Sequence, residues 1–120
     1  MIDERNVRAR SNMKGVEDVK DLTKEIKDHL IDRYGDDIRQ VVVYGSYARG
    51  EATDDSDLDV LVVVSDSLDP VEVERSLSDL LFDLLLERKE LVSVIAIPED
   101  IFENYRSPFI LNAREEGVPI

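Results

Sequence analysis

The stretch VVVYGSYARGEATDDSDLDVLVVV, residues 41–64, decides the fold. With Gln40 it opens on a β-branched run that reads as a strand over Gln40–Tyr44, and the run stops abruptly at Gly45-Ser46. A polar stretch with room for one short helix follows. Asp57–Val64 then reads as a second strand whose apolar residues fall on both faces, the pattern of a strand inside a sheet. Between Gly45 and Asp57 there is too little periodic apolar sequence for a helix that crosses back over a sheet, which a parallel pair requires. The two strands are therefore expected to run antiparallel, with Gly45-Ser46 beside Asp57-Leu58-Asp59.

Upstream of this stretch, Val16, Val19, Leu22, Ile26 and Leu30 recur every three or four residues and lay one stripe along a helix that ends near Gly35. Ahead of it, Met1–Asn12 alternates charges with few apolar positions and reads as a loose arm. Downstream, Asp69-Pro70-Val71-Glu72 combines an N-cap, a proline at the first helical position and a glutamate three residues after the cap. The helix it opens carries Val73, Leu77, Leu80, Leu81, Leu84 and Leu85 on one broad stripe. Its crossover length makes the third strand, Leu91–Ile97, parallel to the second. Short helices are expected over Glu99–Tyr105 and from Ser107-Pro108 to Gly117. The fold class that results is α/β (α+β), a small mixed sheet of three or more strands packed with helices, in a single domain over residues 1–120.

Composition narrows the chemistry. Lys and Arg total 15 against 28 Asp and Glu, a formal net charge of −13, and there is no cysteine. Thiol nucleophiles, disulfides and thiolate-bound metals are excluded. One histidine, His29, cannot build a His-rich metal site, and its place off the apolar stripe reads as surface. A surface this acidic repels phosphate backbones, so long nucleic acid is not an expected partner. No signal peptide is legible, and the longest apolar run, Val60–Val64, is far too short to span a bilayer, so the chain is expected to be soluble and cytoplasmic, without membrane contact.

Asp57 and Asp59, two apart on a strand, place their carboxylates on one face. Asp59 opens an apolar run where an unpaired carboxylate is costly to desolvate, and a divalent cation resolves that cost. Paired carboxylates with room for water and phosphate oxygens suit Mg²⁺, although an acidic strand start is an equally ordinary reading. Asp54 and Asp55 read as a solvated turn. At Gly45-Ser46 the backbone can approach a ligand closely, and the amides of the following turn with the Ser46 hydroxyl can hold phosphate oxygens. Arg49 follows one helical turn later and either faces the same anion or pairs with a neighbouring acid. Tyr44 and Tyr47 flank the turn and either stack on a base or pack against the sheet.

Taken together, Gly45-Ser46-Tyr47-Ala48-Arg49-Gly50 followed by Ser56-Asp57-Leu58-Asp59-Val60 resembles the signature of the DNA polymerase beta-type nucleotidyltransferase superfamily. It is most similar to the minimal nucleotidyltransferases, the MNT proteins that are often encoded beside HEPN proteins. The resemblance implies a polymerase beta-like fold with strand order 1-2-3. It also implies that Gly45, Ser46 and Arg49 bind the triphosphate while Asp57 and Asp59 are the catalytic residues that ligate one or two Mg²⁺. The implied activity is transfer of a nucleoside monophosphate, most naturally AMP from ATP, onto a hydroxyl of a partner, with a HEPN toxin as the partner and this chain as its antitoxin. A homo-oligomer is compatible with it.

One position departs from the family pattern. Active relatives usually carry a third acidic residue on the next strand, and matching Leu91-Val92-Ser93-Val94-Ile95 to that strand places Ser93 there. Glu90 precedes that strand and reads as an exposed helix-exit residue rather than a replacement. The alternative function is therefore a weak or inactive nucleotidyltransferase fold that neutralises its partner by binding. An enzyme acting on a small alcohol is a third reading, disfavoured by the lack of an added helical region. Phe102, Tyr105, Phe109, Ile110 and Leu111 are expected to cover a sheet edge or face, or to form a partner surface.

Overall fold

In the computed structural model, which describes residues 13–120, the two strands of the deciding stretch are β1, Ile38–Tyr44, and β2, Leu58–Val64. They pair antiparallel, with Val43 opposite Val60 and Tyr44 opposite Asp59. The expected arm Met1–Asn12 lies outside the described residues. Helix α1 covers Lys20–Tyr34, entered through a 3-10 turn at Val16–Val19, and buries Leu22, Ile26 and Leu30 as the apolar stripe requires. Full burial of each such side chain is worth about 1.5–3 kcal/mol relative to exposure.

The crossover between β2 and β3 (Val92–Pro98) is helical, and β3 runs parallel to β2. It forms two helices, α2 over Pro70–Ser76 and α3 over Ser78–Arg88, rather than the single helix that the leucine spacing predicts. The break has a local cause. The Ser76 hydroxyl donates to the Val73 carbonyl at 2.7 Å, and the Leu77 N–H reaches back three residues to Glu74, so main-chain bonding tightens there. Asp69 caps α2 through a 3.0 Å bond from the Val71 N–H to its carboxylate. Leu85 falls on the exposed side of α3, whereas Leu84 is buried.

Helices α4 (Glu99–Asn104) and α5 (Pro108–Glu116) follow, the second capped by Ser107, whose hydroxyl accepts from the Ile110 N–H. The chain closes with β4, Val118–Pro119, paired antiparallel with β1. The sheet order is β3-β2-β1-β4, which contains the expected 1-2-3 succession and adds an edge strand that two residues are too few to announce. The other edge, β3, is partly covered, because the Glu74 carboxylate accepts from the Ala96 N–H at 2.9 Å.

The two faces of the sheet are unequal. One carries Val41, Val43, Val60, Val62 and Val64 against Leu22, Ile26, Leu30, Val73, Leu77 and Leu84. On the other, Val42 and Leu61 pack with Ala113, Tyr44, Ile97 and Phe102. Strand alternation assigns Tyr44, Asp59 and Ser93 to this second, thinly covered face. Of the C-terminal apolar residues, Ile110 is buried and Phe102 half-buried, while Tyr105, Phe109 and Leu111 remain exposed. Among the described residues no helix is long and apolar enough to cross a membrane.

Candidate active site

β1 delivers the chain into its turn at Gly45, which has φ +76°, a backbone state that L side chains rarely adopt. A β-carbon there would stand 2.6 Å from the Asp59 Oδ2 atom. Glycine thus lets the turn press directly against the carboxylate, and the antiparallel register of Tyr44 with Asp59 holds the contact. Residues 45–50 form hydrogen-bonded turns, not the short helix expected from sequence. The Arg49 N–H donates to Gly45, the Gly50 N–H to Tyr47 and the Glu51 N–H to Ser46. Among the described residues the amides of Ser46, Tyr47 and Ala48 have no backbone acceptor, which leaves them to an anion or to water. Mutual bonds between Lys14 and Ala52, at 2.7 and 3.0 Å, pin the far end of the turn.

Asp59 is half-buried at the start of β2, and its carboxyl is held above its ordinary range by burial, then by the charge of Asp57, with Arg49 opposing. Asp57 itself precedes β2 and is exposed. The ladder begins one residue later, where the Leu58 N–H donates to Leu91, so the pair sits at the strand's mouth rather than wholly within it. Ser93 is the register partner of Asp59 on β3, so a neutral hydroxyl residue stands beside Asp59 on the neighbouring strand.

Arg49 is exposed and bridges two acids, Glu51 at 3.1 Å and Glu116 at 3.4 Å. Glu116 ends α5, 67 residues away in sequence, and no local pattern announced it. Asp54 and Asp55 are exposed, as a solvated turn requires.

Two expectations need correction. Glu90 is not an exposed helix-exit residue, since its side chain is 19% exposed, accepts a 3.1 Å hydrogen bond from the Tyr47 hydroxyl and pairs with Lys14 at 3.3 Å. That carboxylate is committed to bracing the turn. His29 is half-buried rather than on the surface, with Nε2 3.0 Å from the Ser76 carbonyl, so it joins α1 to the end of α2.

The two tyrosines separate cleanly. Tyr47 is fully buried with its hydroxyl bound to Glu90, whereas Tyr44 is half-buried and meets Phe109 edge-on at 5.4 Å. Burial and then the charge of Asp59 push the Tyr44 phenol up, so it stays neutral at physiological pH.

The chain can also be placed among known proteins. Residues 23–117 match the nucleotidyltransferase domain family. The chain belongs to that family. It is 34% identical over 95 residues to a Methanocaldococcus jannaschii protein named as a protein adenylyltransferase, covering 78% of this chain and 89% of that relative. The resemblance to minimal nucleotidyltransferases drawn from Gly45–Gly50 and Ser56–Val60 thus holds over the greater part of the chain.

Solved structures share the fold at lower identity. A nucleotidyltransferase from Sulfolobus solfataricus is similar with a TM-score of 0.57 and 20% identity, over 94% of this chain and 83% of that one. A toxin-antitoxin structure with AMP-PNP is similar with a TM-score of 0.51 and 17% identity, over 79% of this chain and 69% of that one.

The donor set can be tested against the metal that the family implies. Asp57 and Asp59 offer hard carboxylate oxygens at an open strand mouth, and among the described residues no third His, Cys, Asp or Glu joins them in a cluster. Mg²⁺ is ordinarily held by one or two carboxylates with substrate phosphates and water filling the remaining positions, so the two residues fit it.

Proposed function

We propose that this nucleotidyltransferase transfers AMP from ATP to a hydroxyl of a partner protein, a HEPN-type toxin, and so acts as its antitoxin. The observation that carries the reading is the contact of Gly45 with Asp59, which sets a turn with unpaired backbone amides directly against that carboxylate. Gly45 and Ser46 hold the triphosphate through turn amides and the Ser46 hydroxyl, and Arg49, positioned by its pairs with Glu51 and Glu116, adds a cation beside the phosphates. Asp57 and Asp59 would hold Mg²⁺ at the mouth of β2. Such an ion would neutralise phosphate charge and favour loss of the acceptor's proton.

The acceptor oxygen forms a bond to the α-phosphorus, the bond from that phosphorus to the bridging oxygen breaks, and pyrophosphate leaves. The acceptor proton passes to water, because Ser93 provides no carboxylate beside Asp59. A partner protein suits the net charge of −13 better than a bound RNA does. The relative named as a protein adenylyltransferase and the toxin-antitoxin fold neighbour support the same assignment.

A second reading draws on one specific observation, the neutral Ser93 beside Asp59. Under it the chain neutralises its partner by stoichiometric binding with little transfer. One experiment separates the two: incubation of the chain with α-labelled ATP, Mg²⁺ and the product of its adjacent reading frame, with Asp57→Ala in parallel. Label moving to the partner with the unchanged protein alone supports transfer. Equal or absent label with both proteins overturns it, and neutralisation that survives Asp57→Ala assigns the binding role.

A further inference from the structure

β3 is an edge strand, and its outer side is only half closed. The Leu58 N–H donates to the Leu91 carbonyl, and the parallel register carries that alternation along the pair. Ser93 and Ile95 thus turn their amides to β2, while Val92, Val94 and Ala96 turn theirs outward. The Glu74 carboxylate accepts from the Ala96 N–H and closes the later half of the edge. Among the described residues the earlier half, 91–94, has no such cap. It offers the N–H and C=O groups of Val92 and Val94 as a template for a further strand.

The surroundings restrict what can pair there. Strand alternation places Leu91, Ser93 and Ile95 on the face that holds Asp59, with Leu91 51% and Ile95 36% exposed. Elsewhere on that face Phe102 of α4 and Ala113 of α5 pack with Leu61 and Val42, so the start of β3 is its bare part. Lys14 reaches both Glu90 at 3.3 Å and Asp54 at 3.5 Å, which sets Asp54 beside the residue leading into β3. Asp54, Asp57 and Asp59 therefore border the open half, on a chain of net charge −13, and its complement is a cationic segment. A second copy is a poor occupant. It brings its own −13, and about 13 Å of strand cannot supply the roughly 800 Å² that each side of a stable dimer buries.

We propose that the open half of β3 is a docking edge for an extended segment of a partner protein that carries lysine or arginine and adds to the sheet as a strand outside β3. The inference rests on the proposed function only for the identity of that partner. Main-chain bonds to Val92 and Val94 set the register, Leu91 and Ile95 receive apolar side chains of the segment, and its cations face Asp54 and Asp57. Ser93 then matters for its size as well as its neutrality. A small residue between the added strand and Asp59 lets a long side chain of the segment lie across the face towards that carboxylate. The limited length of the edge suits a transient contact.

Amide hydrogen exchange resolved by NMR tests this in the full chain, alone and with the product of its adjacent reading frame, with equilibrium binding and label transfer measured on the same samples. The expected result is that the partner slows exchange at Val92 and Val94 about tenfold or more. Ser93 and Ile95, already bonded to β2, and Ala96, already bonded to Glu74, change little. Affinity falls as salt rises, and Leu91→Lys, at an exposed position, weakens binding about tenfold while the thermal midpoint stays the same. Binding that leaves Val92 and Val94 exchanging as in the free chain overturns the docking edge, and label transfer in that sample keeps the proposed function standing. Slowing that appears in the chain alone as its concentration rises assigns the edge to a second copy and also overturns the proposal. Slowing by the partner without label transfer supports the docking edge and overturns the proposed transfer. Absence of both binding and transfer overturns both.

Discussion

Asp59 and Ser93 face one another as register partners across the parallel pair of β2 and β3. The carboxylate is half-buried and its neighbour is exposed and neutral, so the position nearest the candidate metal carboxylates is chemically open on its β3 side.

Ser93→Asp restores a third acid at that point. Without metal the extra negative charge beside Asp59 lowers stability, since like charges held together raise the cost of ionisation. With Mg²⁺ the variant regains it, and its Tm rises more on Mg²⁺ addition than that of the unchanged protein. Labelled AMP transfer increases about tenfold, equivalent to about 1.4 kcal/mol of the barrier. Thermal melts with and without Mg²⁺, together with the transfer assay, check both parts.

Gly45→Ala places a methyl group 2.6 Å from Asp59 Oδ2 in a backbone state of φ +76°. Strain of this kind costs on the order of 1–3 kcal/mol. Chemical denaturation should show the midpoint falling, and nucleotide binding should be lost because the turn must back away from the carboxylate. A variant with unchanged midpoint and binding would mean that the close approach is not needed.

Gly117→Ala overpacks the junction of α5 with β1, where the Ala113 carbonyl and the Val42 side chain occupy the space. Overpacking in a tight site costs about 1–3 kcal/mol. Beyond the loss of stability, the displaced helix end separates Glu116 from Arg49, so ATP affinity changes more than in a surface variant of equal stability loss. Denaturation midpoints and ATP titrations on the same samples measure the two effects.

Tyr47 predicts an alkaline transition. Burial, offset in part by Lys14 and reinforced by Glu90, holds the Tyr47 phenol above its ordinary value, and contact with Tyr47 followed by Glu90 holds Lys14 above its own. In the unfolded chain a tyrosine ionises near about pH 10. Above that pH the native state therefore binds more protons than the unfolded state, and stability falls as pH rises through the folded value. Tyr47→Phe removes the hydroxyl bound to Glu90, costs about 1–3 kcal/mol at neutral pH by leaving that carboxylate short of a partner, and flattens the alkaline decline. Midpoints measured from pH 7 to 11 in both proteins test the slope.

Much of the fold was legible because its signals are local. The β-branched run before Gly45, the two-sided apolar run after Asp57 and the cap Asp69-Pro70 are each read within a few residues, and the short connection between the first two strands forces their antiparallel pairing. Where the reading failed, the deciding interaction was between distant residues or between side chain and backbone. Ser76 bends the crossover into two helices, β4 exists only because two residues meet β1, and Glu90 is drawn inward by Tyr47 and Lys14.

The candidate site divides along the same line. The family resemblance carried by Gly45–Gly50 and Ser56–Val60 marks Gly45, Ser46, Arg49, Asp57 and Asp59 as candidates and puts Ser93 in question, and a motif of that kind is a property of the chain itself. That Gly45 touches the Asp59 carboxylate, that Ser93 stands beside it, and that Glu116 pairs with Arg49 are matters of register and helix docking. Those depend on the sum of packing across the whole sheet, which brings Arg49 and Glu116, 67 residues apart, within 3.4 Å and which no window of sequence contains.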